Sequence, residues 1–114
     1  MIVYLACPYT NGDACANVNR AVKVAEQVVE MGHTPLLPIL AHLWHLISPH
    51  DYEYWMKIDV ALITKADAVL RVYGYSEGAD KEVFIANELG IPVFYNLESL
   101  KDHKWCDDAA ILPG

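Results

Sequence analysis

Residues 68–89 read AVLRVYGYSEGADKEVFIANEL, an apolar run followed by a short polar loop and then a helical pattern. The run over 68–73 is typical of a buried strand, and residues 74–78 have the composition of a loop. A serine and a glycine at the start of a helix can form an anion cradle. Glu82 lies in the first turns of this helix, where the positive end of the helix dipole favours its ionised form. The stretch therefore predicts a strand-loop-helix unit with Glu82 as its candidate functional residue.

The rest of the chain repeats this alternation of strands and helices. Apolar runs predict three more strands, over 2–6, 34–40 and 91–95, and helical spacing predicts further helices over 14–31, 51–65 and 97–103. Pro35 and Pro38 place the second strand near an edge, because proline cannot donate to a ladder. Continuously apolar strands alternating with helices indicate a parallel sheet covered on both faces. We predict an α/β three-layer fold with four to five parallel strands.

Length and charge limit the class of protein. The chain has 114 residues, of which 54% are apolar, and a formal net charge of −7. This length predicts a single domain over 1–114. No apolar run is long enough to span a bilayer, and the N-terminus shows no basic region or cleavage site, so we expect a cytoplasmic protein without a membrane partner. The negative charge argues against duplex nucleic acid as a partner, although local amides and one arginine could hold a small anion.

The cysteines and the missing phosphate motifs narrow the range of cofactors. Cys7, Cys15 and Cys106 are odd in number and irregularly spaced, which argues against a disulfide framework or a zinc site. We expect at least two of them to be small buried residues. The sequence contains neither GxGxxG nor GxxxxGK[ST], which disfavours dinucleotides and nucleoside triphosphates. We expect no cofactor.

Two carboxylates stand out by position. Glu82 lies just beyond the loop at the carboxyl end of the third strand, the edge where ligands bind open parallel sheets, and Asp59 lies within a helix. Asp59 shares a helical stripe with Tyr52, Trp55 and Ile63, so it is either capped by a polar partner or lines a cavity. Each of the candidate residues also has an ordinary structural explanation. An acid early in a helix commonly serves the dipole and solubility, a mid-helix aspartate is commonly exposed, and Tyr4 would by default belong to the core.

The segment 41–49, AHLWHLISP, is apolar and aromatic yet carries histidines. His42, His45 and the later His50 could ligate a metal, but no cysteine or acid completes a set at the usual spacing. Trp44 and His45 could instead form an aromatic wall for a flat ligand, and core packing is an equal alternative. Arg20 could clamp a phosphate, although a surface arginine is the default interpretation.

Three elements together resemble the nucleoside 2-deoxyribosyltransferase superfamily. They are VYLACPY at 3–9, Asp59 with the Ala-Asp pair at 66–67, and Ser76-x-Gly78-x-x-x-Glu82. The resemblance covers residues 1 to about 97 and is greatest to small members, which include deoxynucleotide N-hydrolases and an uncharacterised bacterial and phage branch. It implies a flavodoxin-like or Rossmann-like fold and cleavage of the N-glycosidic bond of a nucleoside or nucleotide.

The same resemblance implies catalytic roles. Glu82 would attack the sugar C1′ and form a covalent glycosyl intermediate, while Asp59 would assist or orient the leaving base. Tyr4 would position and tune Glu82. The chemistry is consistent, since such an intermediate needs an ionised carboxylate below C1′ and a proton source at the base.

The resemblance also implies binding roles and an assembly. Ser76 and Gly78 would hold the 5′ end of the sugar, and a serine at this place favours a 5′-monophosphate. The loop that begins with Cys7, Pro8 and Tyr9 would supply amides up to Asn11, and Arg20 would complete the phosphate pocket. Relatives complete their sites with a neighbouring subunit, which predicts a homodimer or higher homo-oligomer.

We therefore expect an N-glycosidase, with hydrolysis favoured over deoxyribosyl transfer, that acts on a small nucleoside or nucleotide. The alternative is a non-catalytic nucleotide-binding or sensing domain on the same fold, because a fold does not fix a function. The identity of the base and of the sugar stays open.

Overall fold

A four-stranded, all-parallel sheet with helices on both faces is formed by residues 1–9 and 12–105, the part of the chain that the computed structural model describes. The strand order is β2-β1-β3-β4. In chain order the elements are β1 (Ile2–Ala6), α1 (Ala14–Glu30), β2 (Thr34–Leu36), a 3-10 turn (Pro38–Ala41), α2 (His42–Ile47), α3 (Tyr52–Ile63), β3 (Ala68–Arg71), α4 (Glu77–Glu88), β4 (Val93–Phe94) and α5 (Leu97–Asp102). The predicted α/β parallel fold is confirmed, with β2 at an edge.

Polar side chains fix where the helices begin. Asp13 accepts hydrogen bonds from two backbone amides at the start of α1, and Asp51 accepts one from Tyr54 N at the start of α3. Ser76 and Asn96 cap α4 and α5 in the same way. These side chains satisfy amides that have no partner within the helix. The start of α4 is therefore set by Ser76.

The core consists of two layers, one on each face of the sheet, and β1 contributes to both. Val3 and Leu5 pack with the buried residues of α1 and α5, whereas Tyr4 and Ala6 pack with those of α3 and α4. Successive side chains of a strand point to opposite faces, which produces this division. Tyr4 therefore lies on the face that carries α3 and α4.

Several predicted boundaries are wrong in ways that proline and helix geometry explain. The second strand ends at Leu36 instead of residue 40, because Pro38 cannot donate to the sheet and begins a 3-10 turn. The sequence pattern predicts no element over 41–49, where the structure has α2. The third and fourth strands are also shorter than predicted.

The expectation that at least two cysteines are buried fails at Cys15. Cys15 is exposed on the first turn of α1, and Cys7 is half-buried. Cys106 lies outside the described residues, as does the tail that follows it.

In residues 1–9 and 12–105, no helix has the length and apolar character needed to cross a membrane.

Gly74 anchors the β3–α4 loop against the β1–α1 loop. Its φ is +129°, and an added Cβ would lie 2.7 Å from Pro8 Cγ. We expect Gly74→Ala to lower the free energy of unfolding by about 3 kcal/mol, because strain and a clash combine. Chemical denaturation measures this loss. The matched control is Gly32→Ala, since Gly32 has φ +90° but open space around it, and equal losses in the two variants would contradict the role of the Pro8 contact.

Candidate active site

A cavity of about 870 Å³ opens at the carboxyl ends of β1 and β3. Its walls come from the end of β1, the 3-10 turn, α2, α3 and the first turns of α4. This is the edge where ligands bind open parallel sheets. Seven of the eleven sequence-predicted site residues line the cavity, and two more, Tyr4 and Trp44, lie beside it, as the following contacts show.

Glu82 and Tyr4 form the buried centre of the site. Glu82 lines the cavity yet is only 7% exposed, and Tyr4 is fully buried beneath it. The Tyr4 hydroxyl donates to Glu82 Oε2 at 2.5 Å, a distance typical of a strong bond to a carboxylate. Because β1 and α4 are both held by core packing, this bond fixes the direction of the Glu82 carboxyl group.

Asp59 lines the same cavity from α3 and shares a hydrogen bond with Glu82. Burial raises the pKa of Glu82 to about 8, and the hydrogen bond and charge of Asp59 act in the same direction. Tyr4 and Arg71 lower the pKa of Glu82 against these effects. Burial also raises the pKa of Asp59, although its bond to Glu82 opposes this.

Two carboxyl groups this close cannot both ionise easily, so they hold one proton between them near neutral pH. The bond favours the proton on Glu82, because it raises the pKa of Glu82 and lowers that of Asp59. A shift of this proton from Glu82 to Asp59 would yield a carboxylate and a neighbouring acid in one step. The pair can therefore supply both a nucleophile and a proton donor.

Replacing Tyr4 by phenylalanine tests the bond to Glu82. The variant loses a hydrogen bond that lowers the pKa of Glu82, so this pKa should rise above its wild-type value of about 8. The free energy of unfolding should fall by about 1 kcal/mol. Carbon NMR titration of the glutamate carboxyl groups measures the pKa. Tyr95→Phe, at an exposed tyrosine, is the control, and an unchanged or lower pKa in Tyr4→Phe would contradict this description of the site.

Ser76 and Gly78 reach the cavity from the start of α4. Ser76 Oγ accepts from Ala79 N at 3.0 Å, and both Ser76 and Gly78 line the cavity. A neighbour on α3 lies beside Gly78, where an added Cβ would make an ordinary van der Waals contact of 3.6 Å with the Tyr52 hydroxyl oxygen. Tyr52 thus lies across the first turn of α4.

Only part of the segment after β1 reaches the cavity. Cys7 and Tyr9 line the cavity, whereas Pro8 packs beneath Gly74 and is absent from the described lining. Burial, followed by the charge of Glu82, raises the pKa of the Cys7 thiol to about 12, which keeps it protonated and unreactive. The amides of Thr10 and Asn11, which the phosphate prediction also invoked, lie outside the described residues.

The structure does not bring Arg20 to the cavity, which corrects its assignment as a phosphate clamp. Arg20 is exposed on α1, where its Nη1 donates to Asn17 Oδ1 at 3.2 Å. This face of α1 lies beside Lys23 in a separate shallow depression. Among the described lining residues, the cationic side chain is that of Lys81, whose Nζ lies 5.1 Å from the centre of the Tyr52 ring.

The cavity has an aromatic wall, but the residues that form it differ from those predicted. His45 lines the cavity, and its Nδ1 accepts hydrogen bonds from Trp55 Nε1 at 2.8 Å and from His50 N at 3.2 Å. A ring nitrogen that accepts two N–H groups carries no proton, so these two bonds leave Nε2 as the ring nitrogen that can donate into the cavity. Trp44 is 47% exposed and supports the wall from behind, since it packs edge-on against Trp55 with 5.0 Å between ring centroids.

Sequence reasoning missed several lining residues and one buried cation. The missed lining residues include His42, Met56 and Lys81. The buried cation is Arg71, and the available signal was an arginine inside the apolar run over 68–73. Within residues 1–9 and 12–105, no three histidine, cysteine or acidic side chains form a group that could hold a metal ion.

Comparison with solved structures places the fold in a known class. The chain is similar to a 2-deoxyribosyltransferase from the psychrotolerant bacterium Bacillus psychrosaccharolyticus, described as a biocatalyst for the synthesis of nucleosides. The two share 18% identity with a TM-score of 0.65, over 92% of this chain and 93% of the other. Residues 1–95 match the family described as domain of unknown function DUF4406, and the chain belongs to that family. No protein of curated function matches the sequence significantly.

Proposed function

We propose that this protein cleaves the N-glycosidic bond of a nucleoside or a nucleoside 5′-monophosphate, with Glu82 as the nucleophile. The observation that carries the proposal is the hydrogen-bonded pair of Glu82 and Asp59 in one cavity, with Tyr4 holding Glu82 from below. Carboxyl groups that share a cavity and have shifted pKa values are typical of catalytic sites. The shared fold with a 2-deoxyribosyltransferase and the sequence resemblance to its superfamily give further support.

The first step forms a covalent intermediate. The shared proton moves to Asp59, and the Glu82 carboxylate attacks C1′ while the bond from C1′ to the base nitrogen breaks. Asp59 donates its proton to the departing base, which leaves neutral. The negative charge of Glu82 stabilises the oxocarbenium character of the transition state, and the Tyr4 hydroxyl keeps the attacking carboxyl group in place.

The second step resolves the intermediate. Asp59, now ionised, takes a proton from water as that water attacks C1′, and the bond between C1′ and Glu82 breaks. The free sugar is released and the Glu82 carboxylate is restored. A second base in place of water would give transfer instead of hydrolysis. We propose hydrolysis as the main reaction, with transfer as its variant when a base is present.

We propose that the start of α4 binds the 5′ end of the sugar. Ser76 and Gly78 line the cavity there, and Lys81 lies in the same wall. The helix N-terminus and a lysine both favour an anionic group, which is consistent with a 5′-monophosphate. The aromatic wall of His45 and Trp55 would receive the flat base.

We also propose that the protein forms a homo-oligomer. The support is the sequence resemblance, together with the large apolar side chains that α2 leaves exposed, among them Leu43, Leu46 and Ile47, which is 86% exposed. An apolar group of this kind on a surface is typical of an interaction site. Light scattering should give a mass above that of one chain, and Ile47→Asp should reduce that mass if α2 forms the contact.

A panel of ribo- and deoxyribonucleosides and their 5′-monophosphates tests the reaction. Free base, followed by chromatography, should appear from at least one member of the panel. A rise in melting temperature without release of base would instead favour a binding or sensing domain on this fold. If no member of the panel releases base or raises the melting temperature, the result contradicts both the proposed reaction and the proposed ligand class.

A further inference from the structure

Arg71 lies at the end of β3 and is only 9% exposed, and all three of its guanidinium nitrogens donate hydrogen bonds within the chain. Nη1 donates to Val72 O, and Nη2 donates to Gly74 O at 2.8 Å and to Ser76 O at 3.5 Å. Nε and Nη2 also donate to Asp80 Oδ1, at 3.2 and 3.1 Å. One side chain thus connects three successive parts of the loop with the first turns of α4.

These bonds fix the conformation of the β3–α4 loop. Carbonyl groups that are withdrawn from water need donors, and a single planar group donates to three of them over residues 72–76, one of which, Ser76 O, also accepts from Asp80 N. The positive φ of Gly74 lets the loop approach Pro8, and the loop ends at Ser76, which caps α4. Since α4 carries Glu82, the same contacts hold the start of the helix on which the candidate nucleophile lies.

Arg71 also places a fixed positive charge near the floor of the cavity. Its ion-pair partner Asp80 is 67% exposed, so water weakens that pair. The ionisable groups that act on Glu82 are Tyr4 from β1, Asp59 from α3 and Arg71 from β3. Arg71 also acts on Cys7, which follows β1. Of these groups, Arg71 contributes the positive charge, and it lowers the pKa of both Glu82 and Cys7.

We propose that Arg71 is a positioning residue of this site, which holds the loop that bears Ser76 and keeps a fixed positive charge beside Glu82. Its effect on catalysis rests on the proposed function. Its effects on the loop and on the ionisation of Glu82 do not, so they can be measured whether or not the protein cleaves a nucleoside.

Three variants separate the two roles. Arg71→Met removes both the charge and the hydrogen bonds. Arg71→Lys keeps the charge, but a single ammonium group cannot reach all three carbonyl groups. Asp80→Asn is the matched control, because it removes the ion pair and leaves the bonds to the loop carbonyls in place. Carbon NMR titration gives the pKa of Glu82, and amide hydrogen exchange reports on the loop and on Ala79, whose amide Ser76 caps.

We expect exchange in the loop and at Ala79 to become at least about tenfold faster in Arg71→Met and Arg71→Lys, with β1 unchanged. The pKa of Glu82 should rise in Arg71→Met and stay near the wild-type value in Arg71→Lys. In Asp80→Asn the pKa of Glu82 should not rise, because Arg71 keeps its positive charge and loses the negative partner that partly neutralises it. If the wild type releases base, the alkaline limb of its pH profile, where the shared proton is lost, should move to higher pH in Arg71→Met.

If amide hydrogen exchange in the loop is unchanged in Arg71→Lys, the positioning role is overturned. This test does not depend on whether Arg71→Met folds. An unchanged or lower pKa of Glu82 in a folded Arg71→Met would overturn the role of the charge. If Arg71→Met does not fold, a rise of this pKa in Arg71→Lys, which retains the charge, would overturn that role, and an unchanged value would support it. Absence of base release from the wild type would contradict the proposed function alone.

Discussion

Replacing Glu82 by glutamine is expected to lower the rate of base release by at least about 10³-fold, because an amide cannot attack C1′ as a carboxylate does. The side chains have the same shape, and glutamine can still accept from Tyr4 and donate to Asp59. The variant should therefore fold. Glu88→Gln, at an exposed acid on the same helix, is the matched control and should retain wild-type activity. Comparable rates for Glu82→Gln and Glu88→Gln would contradict the assigned nucleophile.

The same variant is expected to be more stable than the wild type in alkaline solution. The pKa of Glu82 is raised from its ordinary value of 4.5 to about 8, so the native state keeps a proton that the unfolded chain releases. This contribution to stability is complete below pH 4.5 and is lost as the pH rises through 8. Glutamine does not ionise, so the variant does not lose this contribution to stability at high pH. Above about pH 8, the melting temperature of Glu82→Gln should exceed that of the wild type by about 5 °C.

Replacing Asp59 by asparagine is expected to change both the rate and its pH dependence. In the wild type the shared proton is lost at about pH 8, which gives the pH profile an alkaline limb. The variant has no shared proton to lose, so this limb should disappear. The variant also loses the proton donor, and the maximal rate should fall by about 10²-fold or more. Asp102→Asn, at an exposed residue of α5, is the matched control. A fall in rate with the pH profile unmoved would contradict the shared proton.

The choice of leaving group separates these two effects of Asp59. A purine nucleoside methylated at N7 departs as a neutral base without receiving a proton. The Asp59→Asn variant should therefore cleave this compound far better, relative to the wild type, than it cleaves an ordinary purine nucleoside. An equal loss on both substrates would indicate that Asp59 does not act as the acid.

The buried centre of the site was predictable because its signals are local and periodic. The stripe that contains Asp59 and Trp55 follows from helical spacing, and both residues line the cavity. Glu82 follows a serine cap by a fixed number of residues, so its helical face is set by the sequence. The position of Tyr4 in the first strand decides which face of the sheet it occupies, although the sequence alone does not say which.

The periphery of the site was less predictable, because it depends on how loops fold back on the sheet. Arg20 lies on a helical face whose direction relative to the cavity is a tertiary property, and the structure turns it toward Asn17. The segment that forms α2 has no clear period, so neither its helix nor the bond from Trp55 to His45 could be inferred. The role of Arg71 could not be inferred from its place in an apolar run, because three of its four partners are backbone carbonyls, which carry no sequence signature.

The most direct test of the central claim is a search for the covalent intermediate. The wild type is mixed with a substrate from the panel, quenched with acid at early times, and analysed by intact-protein and peptide mass spectrometry. We predict a transient mass increase of one pentosyl or deoxypentosyl group, located on Glu82 and absent from Glu82→Gln. Release of base at an unchanged rate by Glu82→Gln, or a sugar attached to another residue, would contradict Glu82 as the nucleophile.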